Sequence, residues 1–103
     1  MASIGKGGRR VEEGLRIVWT EYMRYRMKMR GFDVTRVEEI LRHSAERYLD
    51  TVTGRLIVVG RHDQLLVMIP YEVADDVLVP VTIHATNREQ IAIRLKTERL
   101  QNA

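Results

Sequence analysis

The chain of 103 residues contains no cysteine, two prolines, one phenylalanine and one tryptophan. Without cysteine, disulfide bonds, thiolate metal sites and cysteine nucleophiles are all excluded, and a reducing compartment fits this composition. No apolar run approaches the length that crosses a bilayer, and Met1–Arg10 lacks the apolar core of a signal peptide. We therefore expect a cytoplasmic protein that makes no contact with a membrane.

Chain length and charge distribution indicate the number of domains and the class of partner. A chain of this length has room for one domain with a modest core, which we expect at residues 10–103, after a flexible glycine-containing tail at residues 1–9. The net charge is +3, but residues 1–30 carry eight basic and three acidic groups. This concentration of positive charge predicts a basic face for an anionic partner. The alternative is that these arginines only keep a small protein soluble.

Apolar periodicity predicts a long first helix. Apolar residues recur in alternating steps of four and three from Val11 to Met29, which predicts an amphipathic helix from Val11 to Arg30. Gly31 follows, where a left-handed cap would end the helix. The stripe expected in the core is Val11, Leu15, Val18, Tyr22, Tyr25 and Met29. Further apolar residues that would cover more core or contact a partner are Ile17, Trp19, Met23 and Met27.

A second helix and a change of period follow. Thr35 and Glu38 form a capping-box pattern, which predicts a helix from Thr35 to about His43. Its expected buried stripe is Val37, Ile40 and Leu41. From Tyr48 the pattern is typical of strands. Four strands are expected, at residues 48–52, 55–59, 65–69 and 77–83, with a polar turn at residues 60–64.

The two prolines and a final cap complete the predicted order. Pro70 is expected to limit the third strand, because proline cannot donate to a ladder. Pro80 makes the fourth strand either an edge or a bulged strand whose paired part starts at Val81, and we favour the bulge. A capping box at Thr86–Glu89 predicts a short terminal helix that continues toward Leu100. The predicted class is α+β: two N-terminal helices, a four-stranded, mainly antiparallel sheet with the helices on one face, and a C-terminal helix.

This order of elements, together with several short motifs, resembles a known family. The motifs are Tyr22-x-x-x-Arg26-x-x-x-Arg30-Gly31-Phe32, Val37-Glu-Glu-Ile-Leu41, Val59-Gly60-Arg61, Leu66-Val-Met-Ile-Pro-Tyr71 and Val81-Thr-Ile-His-Ala85. From about residue 20 to residue 97 the chain looks like the small BrnT-like domains of the RelE-type toxin superfamily of ribonuclease folds. The resemblance implies a RelE-like fold, cleavage or binding of RNA, and an antitoxin as partner. Tyr22 stands where related domains often carry a histidine, which puts acid or base catalysis at that position in doubt.

Histidine and arginine supply the chemistry of metal-independent RNA cleavage. Attack by a 2′-hydroxyl needs a base, an acid and positive charge on the phosphorane, and histidine titrates near neutrality. One hypothesis makes Arg61 the phosphate clamp and His62 and His84 the acid and base, provided that the two histidines converge. The alternative is that His62 is a solvated turn residue and His84 a hydrogen-bonded residue at a strand end. Further candidate RNA-binding residues are Arg26, Arg30, Arg47 and Arg94.

Arg26 and Arg30 also have a structural alternative, namely packing of their stems on the core or a salt bridge to a glutamate, at Glu38, Glu39 or Glu46. Tyr22 and Tyr25 are able to stack on bases, but their place on the predicted apolar stripe favours core packing. No histidine pair has metal-ligand spacing, and Arg9-Arg10 follow the early glycines in place of the Lys-Ser/Thr of a phosphate loop. No metal or cofactor is therefore expected.

Two hypotheses of different classes remain. The first is a toxin-type, metal-independent endoribonuclease that acts on RNA. The second is a non-catalytic module that binds RNA through its basic helix or joins protein partners, a second copy of the chain included. Salt-sensitive RNA binding without cleavage distinguishes the RNA-binding module from the nuclease.

Overall fold

The computed structural model describes residues 10–103, so the predicted tail at residues 1–9 lies outside the described residues. In chain order the elements are a 3₁₀ turn (Val11–Glu13), β1 (Arg16–Ile17), α1 (Glu21–Arg30), α2 (Val34–His43), β2 (Glu46–Asp50), β3 (Leu56–His62), β4 (Leu65–Ala74), β5 (Val77–Pro80), β6 (His84–Ala85), α3 (Arg88–Lys96) and β7 (Leu100–Asn102). The predicted α+β class, the two N-terminal helices and the short C-terminal helix are confirmed. The sheet has seven strands, where the sequence predicts four.

The sheet is mixed and mostly antiparallel. Its strand order is β1-β5-β4-β3-β2-β7, and β6 pairs with β4 beyond the end of β5. Among the described strands, β1 is the one that runs parallel to its neighbour, with Arg16 opposite Val77. The three strands that the sequence does not reveal, β1, β6 and β7, are two or three residues long. Such short pairings leave no readable alternation in the sequence.

Helices cover both faces of the sheet. Side chains alternate between faces along a strand, so each central strand supplies two separate cores. One core packs α1 and α2 against Val58, Val67, Ile69 and Tyr71. The other packs α3 and Leu100 against Tyr48, Ile57, Val59, Leu66 and Met68. The prediction that the helices share one face is therefore wrong for α3. None of the helices in residues 10–103 is long and apolar enough to cross a membrane.

The first helix is half as long as the sequence predicts. A 3₁₀ turn and β1 occupy residues 11–17, and α1 begins at Glu21. The hydroxyl oxygen of Thr20 accepts the backbone N–H of Met23 at 3.1 Å, which caps the new start. Gly31 ends the helix with φ 73°, as predicted. Pairing of β1 with β5 therefore replaces the first half of the predicted helix.

α1 also buries a different face from the predicted one. Met23 and Met27 are 0% and 1% exposed and lie in the core. Most of the predicted stripe is on the surface, with exposures of 66% at Val11, 55% at Tyr22, 60% at Tyr25 and 64% at Met29. A shift of one residue rotates a helical position by about 100°. The expectation of core packing for both tyrosines is therefore wrong.

α2 follows the prediction closely except at its start. Val37, Ile40 and Leu41 are buried, and the helix ends at His43. Asp33 occupies the N-cap position without a side-chain cap bond. Thr35 consequently lies within the first turn, and the predicted capping box is wrong.

Two contacts hold α2 in place. A Cβ atom at Gly60 would lie 2.8 Å from Cγ2 of Ile40, so the helix packs directly on the backbone of β3. Arg42 donates through Nη1 to the carbonyl oxygens of Glu12, Glu13 and Leu15 at 3.4, 3.1 and 2.6 Å. The guanidinium of Arg42 thus binds the segment that precedes β1 to the second helix.

Both prolines lie within strands. Pro70 sits inside β4 opposite Ile57, and its carbonyl oxygen accepts the N–H of Val81 at 2.8 Å. The N and the C=O of one strand residue point to the same neighbouring strand. The N–H that Pro70 lacks would therefore point to the gap between β5 and β6, so the hydrogen bonds between β3 and β4 stay intact. The prediction that Pro70 limits its strand is wrong. In β5 the paired part ends at Pro80, which is the reverse of the predicted start at Val81.

The C-terminal segment differs from the prediction in two ways. Asn87 caps α3, and its Oδ1 accepts the backbone N–H of Gln90 at 2.8 Å, so the capping box predicted at Thr86 is wrong by one residue. The helix ends at Lys96 and does not continue toward Leu100. Leu100 instead begins β7, which pairs antiparallel with β2.

Candidate nucleic-acid interface

His84 is the first residue of β6, the short strand that pairs with β4. It lies opposite Met68, and its side chain is half-buried. Burial lowers the pKa of His84 below its usual value of 6.5, and the charges of Arg26, Arg94 and Arg30 lower it further. The imidazole is therefore neutral at pH 7 and lies within the field of three guanidinium groups.

Two helices on opposite faces of the sheet bring these arginines to the β6 edge. Arg26 on α1 donates from Nε to the carbonyl oxygen of Ile83 at 3.0 Å. Arg94 on α3 places Nη1 3.5 Å from the sulfur of Met68, the residue opposite His84. Arg30 lies one turn after Arg26 and is exposed. We refer to His84, Arg26, Arg30 and Arg94 together as the arginine cluster.

The charge of the arginine cluster is not neutralised by acids. Within residues 10–103, none of its three arginines forms a salt bridge to a carboxylate. The remaining charged residues of α1 are Glu21, Arg24 and Lys28, so the helix carries a surplus of positive charge. An uncompensated group of guanidiniums on folded elements is a ready site for phosphate.

The exposed residues of α1 lie beside the arginine cluster in a defined order. At about 100° per residue, Arg26 and Arg30 lie about 40° and 80° from Tyr22, in the direction of the buried Met23. Met29 and Tyr25 lie about 20° and 60° from Tyr22 in the opposite direction. A row of exposed residues therefore runs parallel to the two arginines, on their solvent side. We call Tyr22, Tyr25 and Met29 the exposed row.

His62 lies outside this site. β3 runs three residues further than the sequence predicts, so His62 is a strand residue, 6% exposed. Its Nε2 accepts the backbone N–H of Asp33 at 2.8 Å, and its ring packs edge-on against Phe32 with centroids 5.1 Å apart. His62 thus holds the start of α2 against the sheet, and it is not the solvated turn residue of the alternative prediction.

Strand register keeps the two histidines apart. His62 is opposite Leu65, whereas His84 is opposite Met68 on the other side of β4. Three residues along a strand span about 10 Å, and odd and even positions point to opposite faces. The convergence that the acid–base pair requires is not found.

Arg61 is exposed near the end of β3, opposite Leu66 of β4. Its Nη1 donates to the carbonyl oxygen of Gln64 in the same hairpin at 3.1 Å. It also lines an open cavity of about 420 Å³ that includes Arg36 and Glu39. Because Glu39 is acidic and Arg36 pairs with Asp63 at 3.3 Å, this cavity holds less free positive charge than the arginine cluster.

Arg47 is buried and makes three internal hydrogen bonds. Nε donates to the carbonyl oxygen of Ser44 at 2.9 Å, and Nη2 to that of Leu41 at 2.7 Å. Nη1 donates to the hydroxyl of Tyr71 at 3.0 Å, and this hydroxyl donates to Oε2 of Glu12 at 2.8 Å. Burial raises the pKa of Tyr71 to about 12, so the phenol stays protonated. The Glu12–Tyr71–Arg47 network is internal, and Arg47 is too deeply buried to serve as a surface contact for RNA.

The exposed row is the part of the site that the sequence analysis wrongly assigned to the core. One signal in the chain pointed to it: Gly14 lies inside the predicted long helix, where glycine costs about 1 kcal/mol relative to alanine. A helix that starts after Gly14 no longer has to bury the stripe that begins at Val11. Which helical face is buried, the one with Tyr22 or the one with Met23, then depends on tertiary packing.

No cluster of three histidine, aspartate or glutamate side chains suited to a metal ion occurs in the described part of the chain. Comparison of the chain with protein-family models, with curated proteins and with solved structures finds no match. The resemblance to BrnT-like domains therefore rests on the sequence motifs alone.

Proposed function

We propose that this protein binds RNA through α1 and the arginine cluster. The observation that carries the proposal is the placement of Arg26, Arg30 and Arg94 around β6 without a carboxylate partner in residues 10–103. Arginine holds phosphate through two parallel hydrogen bonds and stays charged at any physiological pH. The resemblance to BrnT-like domains independently singles out Arg26 and Arg30.

The arrangement of the arginine cluster favours a polymer over a single small anion. Its guanidiniums come from α1 and α3, on opposite faces of the sheet, and meet at one edge. They thus lie along a path that continues onto the basic surface of α1. A chain of phosphates gains from each contact through the release of condensed counterions. An antitoxin, which the resemblance implies as a partner, would act by covering this same path.

Metal-independent RNA cleavage is the second candidate function, and the state of His84 favours it. An imidazole that is neutral at pH 7 is ready to accept the proton of a 2′-hydroxyl. The surrounding arginines would stabilise the charge that develops on the phosphorane. In this mechanism His84 is the base, and Arg26, Arg30 and Arg94 bind the phosphate. The 2′-oxygen forms the cyclic phosphate, and water protonates the 5′-oxygen that leaves, while Arg61 and His62 have no part.

Fluorescence anisotropy with a labelled RNA oligonucleotide, measured over a series of salt concentrations in chelator, tests the binding proposal. We expect affinity to fall steeply as salt rises, and Arg30→Gln to reduce the slope of log K against log salt by about 0.7, the value of one phosphate contact on a single strand. Arg99→Gln is the matched control, since Arg99 is exposed just before β7, at the opposite edge of the sheet. Absence of salt-sensitive binding would refute the proposal.

Denaturing gels of the same mixtures test cleavage separately. If the protein is a nuclease, wild type yields fragments in chelator and His84→Gln yields none while it keeps RNA affinity. Intact RNA with folded, RNA-binding wild type would exclude the second candidate function and leave the binding proposal standing.

A further inference from the structure

The exposed row presents two aromatic rings to solvent next to the arginine cluster. Tyr22, Tyr25 and Met29 are each more than half exposed, and none belongs to either core. Single exposed apolar residues are common on protein surfaces, but these three are neighbours on one helical face, at spacings of three and four residues. A contiguous apolar surface of this kind marks a place where a partner binds.

The charges around the exposed row indicate which partner fits. On one side it is flanked by Arg26 and Arg30. On the other side lie Lys28, Arg24 and Glu21, so positive charge is in surplus around the row. A partner must therefore offer flat apolar faces and negative charge at the same time. Nucleic acid bases joined by phosphates meet this requirement, because every base has a stackable face and every linkage carries a charge.

The order of residues around α1 matches the arrangement of phosphates on one side and bases on the other in an unpaired strand. The arginines lie closer to the sheet and the tyrosines further out, with axial steps of about 4.5 Å from Tyr22 to Tyr25 and about 6 Å from Tyr22 to Arg26. A strand that lays its phosphates along the arginines has its bases over the tyrosine rings. In a duplex the base faces are stacked on one another and the rings have nothing to contact.

We infer that the interface selects single-stranded RNA, with two unpaired bases stacked on Tyr22 and Tyr25 while their phosphates lie on Arg26 and Arg30. This inference rests on the proposed function, since it specifies which RNA the same surface binds. It assigns the tyrosines a binding role that is separable from the electrostatic one. Stacking contributes to affinity without changing the number of ions released.

Three probes with the full chain test the inference by anisotropy: a single-stranded RNA decamer, a blunt RNA duplex of the same length, and a ribose-phosphate decamer without bases. Wild type is expected to bind the single strand at least about tenfold more tightly than either of the others. The double variant Tyr22→Leu/Tyr25→Leu should lose at least about tenfold on the single strand, because stacking is worth about 1–3 kcal/mol per base. Its salt slope and its affinity for the duplex should stay as in wild type.

The matched control is Tyr22→Phe/Tyr25→Phe, which keeps both rings and should keep the affinity for the single strand. Equal affinity of wild type for the decamers with and without bases would overturn the inference, and this comparison does not depend on any variant folding. In that case salt-sensitive binding of both probes would leave the proposed function intact. Failure of wild type to bind any of the three probes would remove the proposed function itself, and an apolar protein partner would then be the occupant to seek.

Discussion

Replacing Tyr71 with phenylalanine tests the buried network separately from the proposed RNA-binding surface. Tyr71 is fully buried, and its hydroxyl accepts from Arg47 and donates to Glu12. The substitution removes one oxygen atom and leaves the ring, so packing against the core and the contact of the Arg47 guanidinium with the ring, 5.6 Å from its centroid, both persist. Any loss of stability therefore reports on the two hydrogen bonds.

The expected magnitude follows from the partners that remain. Arg47 keeps two backbone carbonyl oxygens as acceptors and stays 3.7 Å from Glu12. The buried carboxylate of Glu12 loses its closest hydrogen-bond donor, the hydroxyl of Tyr71. A hydrogen bond to a charged group contributes about 1.5–3 kcal/mol, so we expect Tyr71→Phe to lower the free energy of unfolding by about 2–4 kcal/mol. A domain of this size has about 5–15 kcal/mol in total, which leaves the variant folded.

Urea denaturation followed by the fluorescence of the single tryptophan, Trp19, measures this difference. Tyr25→Phe is the matched control, because it makes the same chemical change at an exposed site and should change stability by less than about 0.5 kcal/mol. If both variants lose equally little, the buried network is not stabilising and the interpretation of Arg47 as an internal residue fails. The salt slope of RNA binding should be the same for Tyr71→Phe as for wild type.

Two further changes test the packing of α2 and the state of His84. Gly60→Ala should lower the free energy of unfolding by about 1–3 kcal/mol, because its Cβ would lie 2.8 Å from Ile40. Gly14→Ala is the control and should have little effect, since the nearest neighbour of its Cβ would lie at 4.0 Å. Equal losses of stability in urea denaturation would contradict this prediction. The pKa of His84 is lowered in the folded state, so the unfolded chain binds more protons below about pH 6.5 and wild type loses stability there. His84→Gln should lose less stability than wild type between pH 7.5 and pH 5.5, and parallel losses would show that His84 is not held neutral.

The parts of the fold that the sequence predicts correctly are those with local causes. α2 has a single apolar stripe, and Gly31 stands where a left-handed cap is needed, so both are read from neighbouring residues. The start of α1 depends instead on β1, whose partner is residues 77–78, about sixty residues further along the chain. No local pattern reveals such a pairing. The C-terminal β7 escapes prediction for the same reason, since its partner is β2.

The sequence predicts which residues form the candidate site better than it predicts which of them lie together in the fold. Arg26, Arg30, Arg94 and His84 all appear among the residues chosen from the sequence, and the structure brings them together. His62 does not join them, because β3 extends past the predicted turn and carries it into the core. Residue chemistry is visible in a sequence, whereas the face on which a strand residue points depends on a register that only the folded sheet determines.

The long-range closure of the sheet has a consequence for the order of folding. The β3–β4 hairpin joins neighbouring segments through two residues and closes fast, but the outer strands join segments about fifty to sixty residues apart and pay a larger loop entropy. The arginine cluster spans this whole range, from Arg26 on α1 to Arg94 on α3. A chain that is still emerging or only partly folded therefore holds no assembled arginine cluster. Under the proposed function, full affinity for RNA would arise only when the last third of the domain is in place.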